Sequence, residues 1–271
     1  DNIRKLTARG VRFVEPGTGQ LACGYVGKGR LAEPEEIAEA ITSWLVGARP
    51  LAGRKVLVTA GGTVERIDAV RYITNDSSGK MGFALAEAAR DYGASVTLVC
   101  ARTDDAPPGG VEVVRVESAT DMLEAVMARI GEMDAIVKAA AVADYRPADR
   151  HEGKIKKHDA HLTLELVRNP DILQTIGEWK AARASERTPF LIGFAAETGE
   201  LEKYAMDKLV RKKCDLIVAN DVTAPGAGFG SQTNIVQIYG PQGLIADLPM
   251  ATKREVAERI WQIAAERMER A

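Results

Sequence analysis

The sequence predicts an α/β protein: a doubly wound, Rossmann-like domain whose mainly parallel sheet is followed by a C-terminal β-hairpin and helix. From Lys55 onward, short apolar segments alternate with amphipathic helical segments, which is typical of a parallel sheet covered by helices on both faces. Near the C-terminus, two β-rich segments flank Gly240-Pro-Gln-Gly243, a combination that indicates a hairpin.

Hydrophobic periodicity predicts the individual elements of this domain. Six apolar segments are predicted as strands, at residues 56–59, 95–100, 111–116, 134–140, 190–194 and 216–219. Helices are predicted at 79–92 and 119–130, and before the fifth and sixth strands. The hairpin pairs residues 235–239 with 244–248. The last helix is expected to bury Val256, Ile260, Ile263, Ala264 and Met268.

The N-terminal part of the chain has a different character. Residues 1–30 are predicted as a loop because glycine recurs at positions 17, 19, 24, 27 and 29. An amphipathic helix is predicted at 34–46, and residues 47–53 (GARPLAG) have the composition of a linker. The sequence therefore predicts two domains, residues 1–48 and 49–271.

Composition excludes several classes of protein. The 271 residues include 36 basic and 38 acidic side chains, a formal net charge of −2, whereas a nucleic-acid-binding domain is normally basic. No apolar run approaches the roughly 20 residues that span a membrane, and no signal-peptide pattern opens the chain. The three cysteines are too few for a disulfide framework. We expect a globular cytoplasmic protein that binds neither nucleic acid nor membrane.

Ligands of doubly wound sheets bind at the carboxyl ends of the strands, so the loops after the strands are the candidate sites. After the first strand, Ser77, Ser78 and Gly79 precede a helix whose unpaired N–H groups would suit an anion. The alternative is ordinary capping of that helix by serine.

The loop after the fourth strand is rich in small residues. Ala139 and Ala140 would let a flat ligand lie close to the backbone, and Asp144 would hold a ribose hydroxyl or a cation. The alternative is simple packing of small residues between helix and sheet.

Lysines follow in Gly153-Lys-Ile-Lys-Lys157, which we interpret as a mobile flap that brings Lys154 over a polyphosphate. The alternative is a solvated basic patch. The spacing of His151, His158 and His161 fits no usual set of metal ligands, so they do not predict a metal site.

Two later segments complete the candidate cleft. Asn169 and Pro170 are expected to cap and open a helix, while Phe194 and Glu197 end the fifth strand near the cleft mouth. Lys208 and Lys212 share one face of the next helix, opposite Leu201, Ala205 and Leu209. That face either points to the cleft or is simply solvated.

An oxidoreductase is the first alternative function. Tyr204 and Lys208 match the Y-x-x-x-K spacing of short-chain dehydrogenases, and Arg102 after the second strand would suit NADP. The glycine-rich G-x-G-x-x-G fingerprint is missing, which argues against this alternative. A non-catalytic nucleotide-binding module is the second alternative.

Taken together, the loops resemble those of phosphopantothenate–cysteine ligase, the synthetase half of a bacterial bifunctional coenzyme A biosynthesis protein. The resemblance covers residues 53 to about 260 and rests on seven motifs in order. They are AGGT, RYITNDSSGKMG, AAAVADYRP, KIKK, NPDI, GFAAET, and K-x-x-x-K before ANDV.

The resemblance implies a reaction and its co-substrates. 4′-Phosphopantothenate would be joined to L-cysteine at the expense of CTP, through an acyl-cytidylate, with release of pyrophosphate and CMP. Mg²⁺ is expected, and Asp144 would contact the nucleotide or this cation. Eukaryotic relatives often use ATP, but the bacterial character of the N-terminal segment favours CTP.

The resemblance also implies roles for named residues. Asn75 would hydrogen-bond the acyl carbonyl of the intermediate, Arg71 would lie near phosphopantothenate, and Lys154 would neutralise the transferring phosphate. The CTP site would be formed by Ser77, Ser78, Gly79, Ala139, Ala140, Asp144, Lys154, Pro170, Asp171, Ile172, Leu173, Phe194, Lys208 and Lys212. Lys138 departs from the family, in which this position is commonly small or apolar.

Residues 1–48 resemble the end of the flavin-dependent decarboxylase domain that precedes the ligase, together with a linker. Cys23 stands where that family has its proton donor, although Tyr25 replaces the usual acidic residue. The FMN-binding core would lie outside this chain, so we expect no decarboxylase activity from it alone. The resemblance implies a homodimer of the ligase domain, for which the hairpin at 235–248 is the candidate interface, and a larger assembly in the full-length bifunctional protein.

Overall fold

The computed structural model describes residues 2–8, 11, 13–20, 26–46, 49–156, 161–183, 186–197, 201–221 and 230–270. The chain forms two compact units, residues 1–49 and residues 50–271. Within the described residues, no helix is both long and apolar enough to cross a membrane.

The N-terminal unit contains α1 (Asn2–Ala8), β1 (Gly17–Gln20), β2 (Val26–Arg30) and α2 (Pro34–Val46). The prediction of α2 is confirmed, with proline at the first helical position, where its missing N–H costs nothing. The prediction of a loop over residues 1–30 is wrong, because β1 and β2 pair as an antiparallel hairpin. Such pairing uses backbone groups alone, so glycines do not prevent it. Cys23 and Gly24 lie outside the described residues.

In the described part of the second unit, eight strands form the central sheet and two short hairpins lie outside it. The hairpins are β4 (Val64–Arg66) with β5 (Tyr72–Thr74), and β9 (Tyr145–Pro147) with β10 (Leu166–Arg168). The sheet consists of β3 (Lys55–Ala60), β6 (Ser95–Cys100), β7 (Glu112–Arg115), β8 (Ala135–Lys138), β11 (Phe190–Glu197), β12 (Leu216–Asp221), β13 (Thr233–Gly240) and β14 (Gly243–Thr252).

The order of the strands confirms the doubly wound fold. The parallel strands lie side by side as β7-β6-β3-β8-β11-β12, and the antiparallel strands β13 and β14 extend the sheet beyond β12. Numbered along the chain, the parallel part has the order 3-2-1-4-5-6 of the Rossmann fold. The order therefore reverses between β3 and β8, and the carboxyl ends of these strands mark the expected ligand crevice.

Helices cover both faces of this sheet. They are α3 (Lys80–Asp91), α4 (Ala119–Met127), α5 (Ile172–Ala181), α6 (Leu201–Lys212) and α7 (Lys253–Met268). On one face α3 and α7 pack together, and the fully buried Trp261 donates its indole N–H to the carbonyl oxygen of Leu85 over 2.9 Å. Core residues of α4, α5 and α6 pack together on the other face.

Several element boundaries differ from those predicted. The helix predicted at 119–130 ends at Met127 and is followed by a 3-10 turn at Ile130–Glu132. The strand predicted at 134–140 ends at Lys138, since the chain then turns so that the N–H of Ala141 donates to the carbonyl of Gly61. The end of β8 thus depends on a contact between segments distant in sequence, which periodicity does not report.

Candidate active site

The loops after three neighbouring strands meet at the point where the strand order reverses. The N–H of Ala141, after β8, donates to the carbonyl of Gly61 over 2.9 Å, and the N–H of Gly62 donates to the carbonyl of Arg102, after β6, over 2.9 Å. Gly61 has a φ of +85°, and a Cβ there would lie 2.3 Å from the Arg102 oxygen. Glycine is thus required for this close approach.

Two buried threonines fix the alanine-rich loop after β8. The hydroxyl of Thr59 accepts a hydrogen bond from the N–H of Ala140 over 3.1 Å, and the hydroxyl of Thr63 accepts one from the N–H of Ala143 over 3.0 Å. Ala140 is itself buried, whereas Ala139 is only partly buried. The small side chains therefore bring this loop close to the end of β3.

The first turn of α3 does not have the serine cap considered from the sequence. Its N-cap is Gly79, in the left-handed conformation with φ +79°, and no side chain caps the helix. Ser78 is buried and its carbonyl accepts a hydrogen bond from the N–H of Asp104, while Ser77 is partly buried. The alternative of ordinary serine capping is wrong, and an anion at this helix end stays a prediction.

Asn75 connects two of the loops. Its exposed side chain donates from Nδ2 to the carbonyl of Val142 over 3.1 Å, and Val142 belongs to the loop after β8. A Cβ on Gly62 would lie 2.9 Å from the Asn75 carbonyl oxygen, so the backbones also approach closely here. The Asn75 amide thus lies next to the cavity that Val142 helps to line.

A cavity of about 600 Å³ opens at the carboxyl ends of β8 and β11. Eight of the residues predicted to bind the nucleotide line it: Asp144, Pro170, Asp171, Ile172, Leu173, Phe194, Lys208 and Lys212. Ile172 and Leu173 are almost fully buried in the core, so they form the wall rather than the rim. Ser77, Ser78, Gly79, Ala139 and Ala140 do not line this cavity.

The beginning of α5 differs from the prediction that Asn169 caps it. The N-cap is Asp171, whose Oδ1 accepts a hydrogen bond from the N–H of Gln174 over 2.9 Å. Asn169 is buried, and its Nδ2 instead donates to the carbonyl of Ala143 over 2.8 Å. Because the amide of Asn169 bonds to the loop after β8, it is not available to cap the helix, and Asp171 caps it instead.

Lys212 is a buried cation at the cavity wall. Only 5% of the residue is exposed, and Nζ donates to Asp171 Oδ2 over 2.6 Å and to Gln174 Oε1 over 3.0 Å. Burial is the largest effect and raises the pKa of Asp171, but the hydrogen bonds from Lys212 and from the N–H of Gln174, together with the charges of Lys212 and Lys138, outweigh it, and the net pKa is below its usual value. The alternative that this face of α6 is simply solvated is therefore wrong for Lys212.

Lys138, which was noted only as a departure from the family, lies at the end of β8 in the wall of the cavity. Its Nζ donates to the carbonyl of Ala140 over 2.8 Å. Burial, reinforced by repulsion from Lys208, lowers its pKa to about 8. A lysine at the end of an otherwise apolar strand was the signal for this position.

The charges of the cavity favour an anionic ligand. Five cationic side chains line it, against three carboxylates: Lys138, Arg168, Lys208, Arg211 and Lys212, against Asp144, Asp171 and Glu178. Sequence reasoning missed Arg168 and Arg211. Arg211 follows Lys208 by three positions and so shares its helix face, which was the available signal.

Arg71 contacts the residue that follows Lys154, although neither Arg71 nor Lys154 lines the cavity. Arg71 Nη2 binds Asp68 Oδ2 over 2.5 Å and donates to the carbonyl of Ile155 over 3.2 Å. Lys154, the residue before Ile155, is exposed. The predicted flap is thus anchored at Ile155, beside Arg71.

The site suits a magnesium ion that is held mainly by phosphates. Within the described residues, no group of three or more histidine, cysteine, aspartate or glutamate side chains could hold a metal alone. Asp144 offers one exposed carboxylate in the cavity. Mg²⁺ is usually bound through one or two carboxylates together with substrate phosphates, so this donor set fits.

Comparison with known proteins confirms the resemblance found in the motifs. The chain is 48% identical over 264 residues to the coenzyme A biosynthesis bifunctional protein CoaBC of Bacillus subtilis (strain 168), and the match covers 96% of this chain. It covers 64% of that relative, so the chain spans slightly less than two thirds of its length.

Two solved structures share the fold. The crystal structure of the C-terminal domain of a coenzyme A biosynthesis bifunctional protein CoaBC has a TM-score of 0.68 and 47% identity, over 82% of this chain and 100% of that one. A Cab2 variant in complex with phosphopantothenate-cysteine has a TM-score of 0.61 over 88% of this chain and 95% of that one, but with 16% identity it supports the fold alone. A family model matches residues 51–268, and the chain therefore belongs to the family of the DNA/pantothenate metabolism flavoprotein C-terminal domain.

Proposed function

We propose that residues 49–271 form a CTP-dependent phosphopantothenate–cysteine ligase of coenzyme A biosynthesis. The observation that carries this proposal is the cationic cavity at the carboxyl ends of β8 and β11, which eight of the residues expected to bind the nucleotide line. The family membership and the bifunctional relative support the same reaction.

The proposed chemistry has two steps. A carboxylate oxygen of 4′-phosphopantothenate attacks the α-phosphorus of CTP, and the bond to pyrophosphate breaks. The neutral amine of L-cysteine then attacks the acyl carbon of the acyl-cytidylate, CMP leaves, and the amine proton is released. Two anions react in the first step, so the site must neutralise charge and keep water from the mixed anhydride.

The cavity contains the groups needed to bind the nucleotide and to neutralise its negative charge. Phe194 provides an apolar surface for the base, while Lys208 and Lys212 provide positive charge on α6. We place the triphosphate toward the uncapped first turn of α3, near Ser77, Ser78 and Gly79, because free N–H groups there favour anions. Mg²⁺, held by Asp144 and the phosphates, would offset the charge that develops at phosphorus.

Asn75 and Lys154 complete the proposed mechanism. The Asn75 amide, which donates to the Val142 carbonyl at the edge of the cavity, would hold the acyl carbonyl of the intermediate. Lys154 would neutralise the phosphate that is transferred, and Arg71 would bind phosphopantothenate. Ala139 and Ala140 would bring the backbone close to the nucleotide.

The assembly is part of the proposal. β14 is an edge strand with exposed Leu244 and Met250, and we propose that this hairpin contributes to a homodimer. We also propose that residues 1–48 belong to a decarboxylase domain, with Cys23 as its proton donor and FMN bound outside this chain.

The test is ligation of 4′-phosphopantothenate and L-cysteine with CTP, with ATP and without nucleotide, measured in parallel as product and pyrophosphate. We expect product with CTP and much less with ATP. Lys154→Gln should abolish product and leave the fold intact, because this side chain is exposed. Binding of CTP without pyrophosphate release would instead indicate a non-catalytic module, and binding of NADPH in place of CTP would indicate an oxidoreductase.

A further inference from the structure

A buried carboxylate outside the cavity joins the two segments that carry Arg71 and Lys154. Asp68, between β4 and β5, is fully buried. Its Oδ1 accepts hydrogen bonds from the N–H groups of Val70 and Arg71 over 2.8 and 2.7 Å. Its Oδ2 accepts from Arg71 Nε and Nη2 over 3.0 and 2.5 Å. The carboxylate thereby fixes both the backbone and the side chain of Arg71.

The same carboxylate also holds the segment that contains Lys154. Asp68 Oδ2 accepts a third hydrogen bond, from the N–H of Ile155 over 3.1 Å, and Arg71 donates to the carbonyl of Ile155 over 3.2 Å. Both backbone polar groups of Ile155 are therefore bound by one ion pair. A further bond, from the N–H of His151 to the carbonyl of Ile67, fixes the start of this segment.

These contacts leave the side chains of the two neighbouring lysines exposed, so that a ligand can reach them. Lys154 and Lys156 are exposed on either side of the partly buried Ile155, because the contacts with Asp68 and Arg71 use only backbone groups of Ile155. The guanidinium of Arg71 holds the pKa of Asp68 well below its usual range, so the carboxylate stays charged at neutral pH. A buried charge with this many donors is costly to disrupt.

We propose that Asp68 is a positioning residue, which holds Lys154 toward the nucleotide phosphates by binding the backbone of Ile155 together with Arg71. This inference rests on the proposed function, because Lys154 has this task only if CTP binds. Asp68 itself is fully buried and does not line the cavity, so its proposed action on the phosphates is through Lys154. Asp68 would strengthen the pairing of Lys154 with a phosphate because a lysine on an anchored backbone loses less conformational entropy in that pairing than a lysine on a mobile segment.

The test variant is Asp68→Asn. Its matched control is Glu65→Gln, which replaces another buried carboxylate by an amide in the same way. The Glu65 side chain accepts a hydrogen bond from the N–H of Ala119 and, within the described part of the chain, makes no hydrogen bond or ion pair with residues 151–156. Amide hydrogen exchange over residues 151–156 should accelerate about tenfold in Asp68→Asn and stay unchanged in Glu65→Gln. Ile155→Pro, which removes the N–H that Asp68 binds and leaves Asp68 and Arg71 in place, replaces Asp68→Asn if that variant does not fold.

The functional readout is the dissociation constant of CTP in a double-mutant cycle. We expect Asp68→Asn to weaken CTP binding about tenfold when Lys154 is present and to have no effect in a Lys154→Gln background. Equal weakening in both backgrounds, or exchange that does not depend on Asp68, would overturn the positioning role while CTP binding by the wild type stands. Absence of CTP binding by the wild type would overturn the proposed function, and this role with it.

Discussion

The carbonyl oxygen of Lys212, at the end of α6, lies 1.9 Å from the position that a Cβ on Gly177 of α5 would occupy. The two helices thus touch where no side chain fits. The contact places the end of α6 against the middle of α5, from where the side chain of Lys212 reaches Asp171 at the beginning of α5. One glycine in the middle of a helix therefore supports the wall of the candidate active site.

Gly177→Ala should destabilise the domain, because the added methyl group collides with backbone that cannot rotate away. We expect a loss of roughly 1 to 3 kcal/mol in the free energy of unfolding, and weaker CTP binding as Lys212 is displaced. Chemical denaturation measures the first effect and calorimetric titration the second. Gly131→Ala is the control, since nothing lies within 4 Å of a Cβ there, and equal losses in both variants would contradict this account.

Lys212→Met should destabilise the domain by about 1 kcal/mol, because it removes a charge-assisted hydrogen bond from a buried lysine, while the half-exposed carboxylate of Asp171 can regain water. The pKa of Asp171 lies below its unfolded value of 3.8, so the pair contributes stability above that pH and loses it as the pH falls through the lower folded value. The acid dependence below pH 3.8 should therefore shrink in the variant.

The control for this pair is Asp207→Asn. Asp207 lies 3.8 Å from Arg211 on the same helix, and both side chains are largely exposed, so the change should cost less than about 0.5 kcal/mol. Unfolding curves between pH 2.5 and 7 for the wild type and both variants provide the comparison. An identical pH dependence in the wild type and Lys212→Met would refute the proposed contribution of the pair.

Binding of CTP near pH 8 should be accompanied by proton uptake at Lys138. Burial and the nearby Lys208 lower its pKa to about 8, and an incoming triphosphate would raise the pKa again, so a fraction of neutral lysines would take up a proton. Titration calorimetry in buffers of different ionisation enthalpy measures this uptake. Lys138→Met should abolish it, and undiminished uptake in that variant would assign the proton to another group.

Asn75→Asp should separate the two steps of the reaction. The Asn75 amide donates to the carbonyl of Val142, and an aspartate would bring a negative oxygen toward that carbonyl and toward the acyl group. We expect the acyl-cytidylate to form but to react poorly with cysteine. Mass spectrometry should detect the trapped intermediate, and normal ligation without any accumulation would argue against the role of Asn75.

The doubly wound fold could be predicted from local patterns, and the resemblance to the ligase family supplied about half of the residues that line the cavity. Residues 216–219 of β12, for example, are a continuous apolar run, and Lys208 and Lys212 are four residues apart on one helix. The cap at Asp171 and the role of Asp68 were not predicted. The cap itself is a local bond to Gln174, but Asn169 does not cap because it bonds to Ala143, and Asp68 bonds to Ile155; no local pattern contains these two distant contacts.

The most direct test of the central claim is a crystal structure of the chain with CTP, Mg²⁺ and 4′-phosphopantothenate. The account predicts the cytidine in the cavity between Lys138, Phe194 and Lys208, with the α-phosphate directed toward Lys154 and Asn75. The account would be contradicted by nucleotide bound in the separate groove between Arg66 and Arg150, or by density for CTP far from α5 and α6.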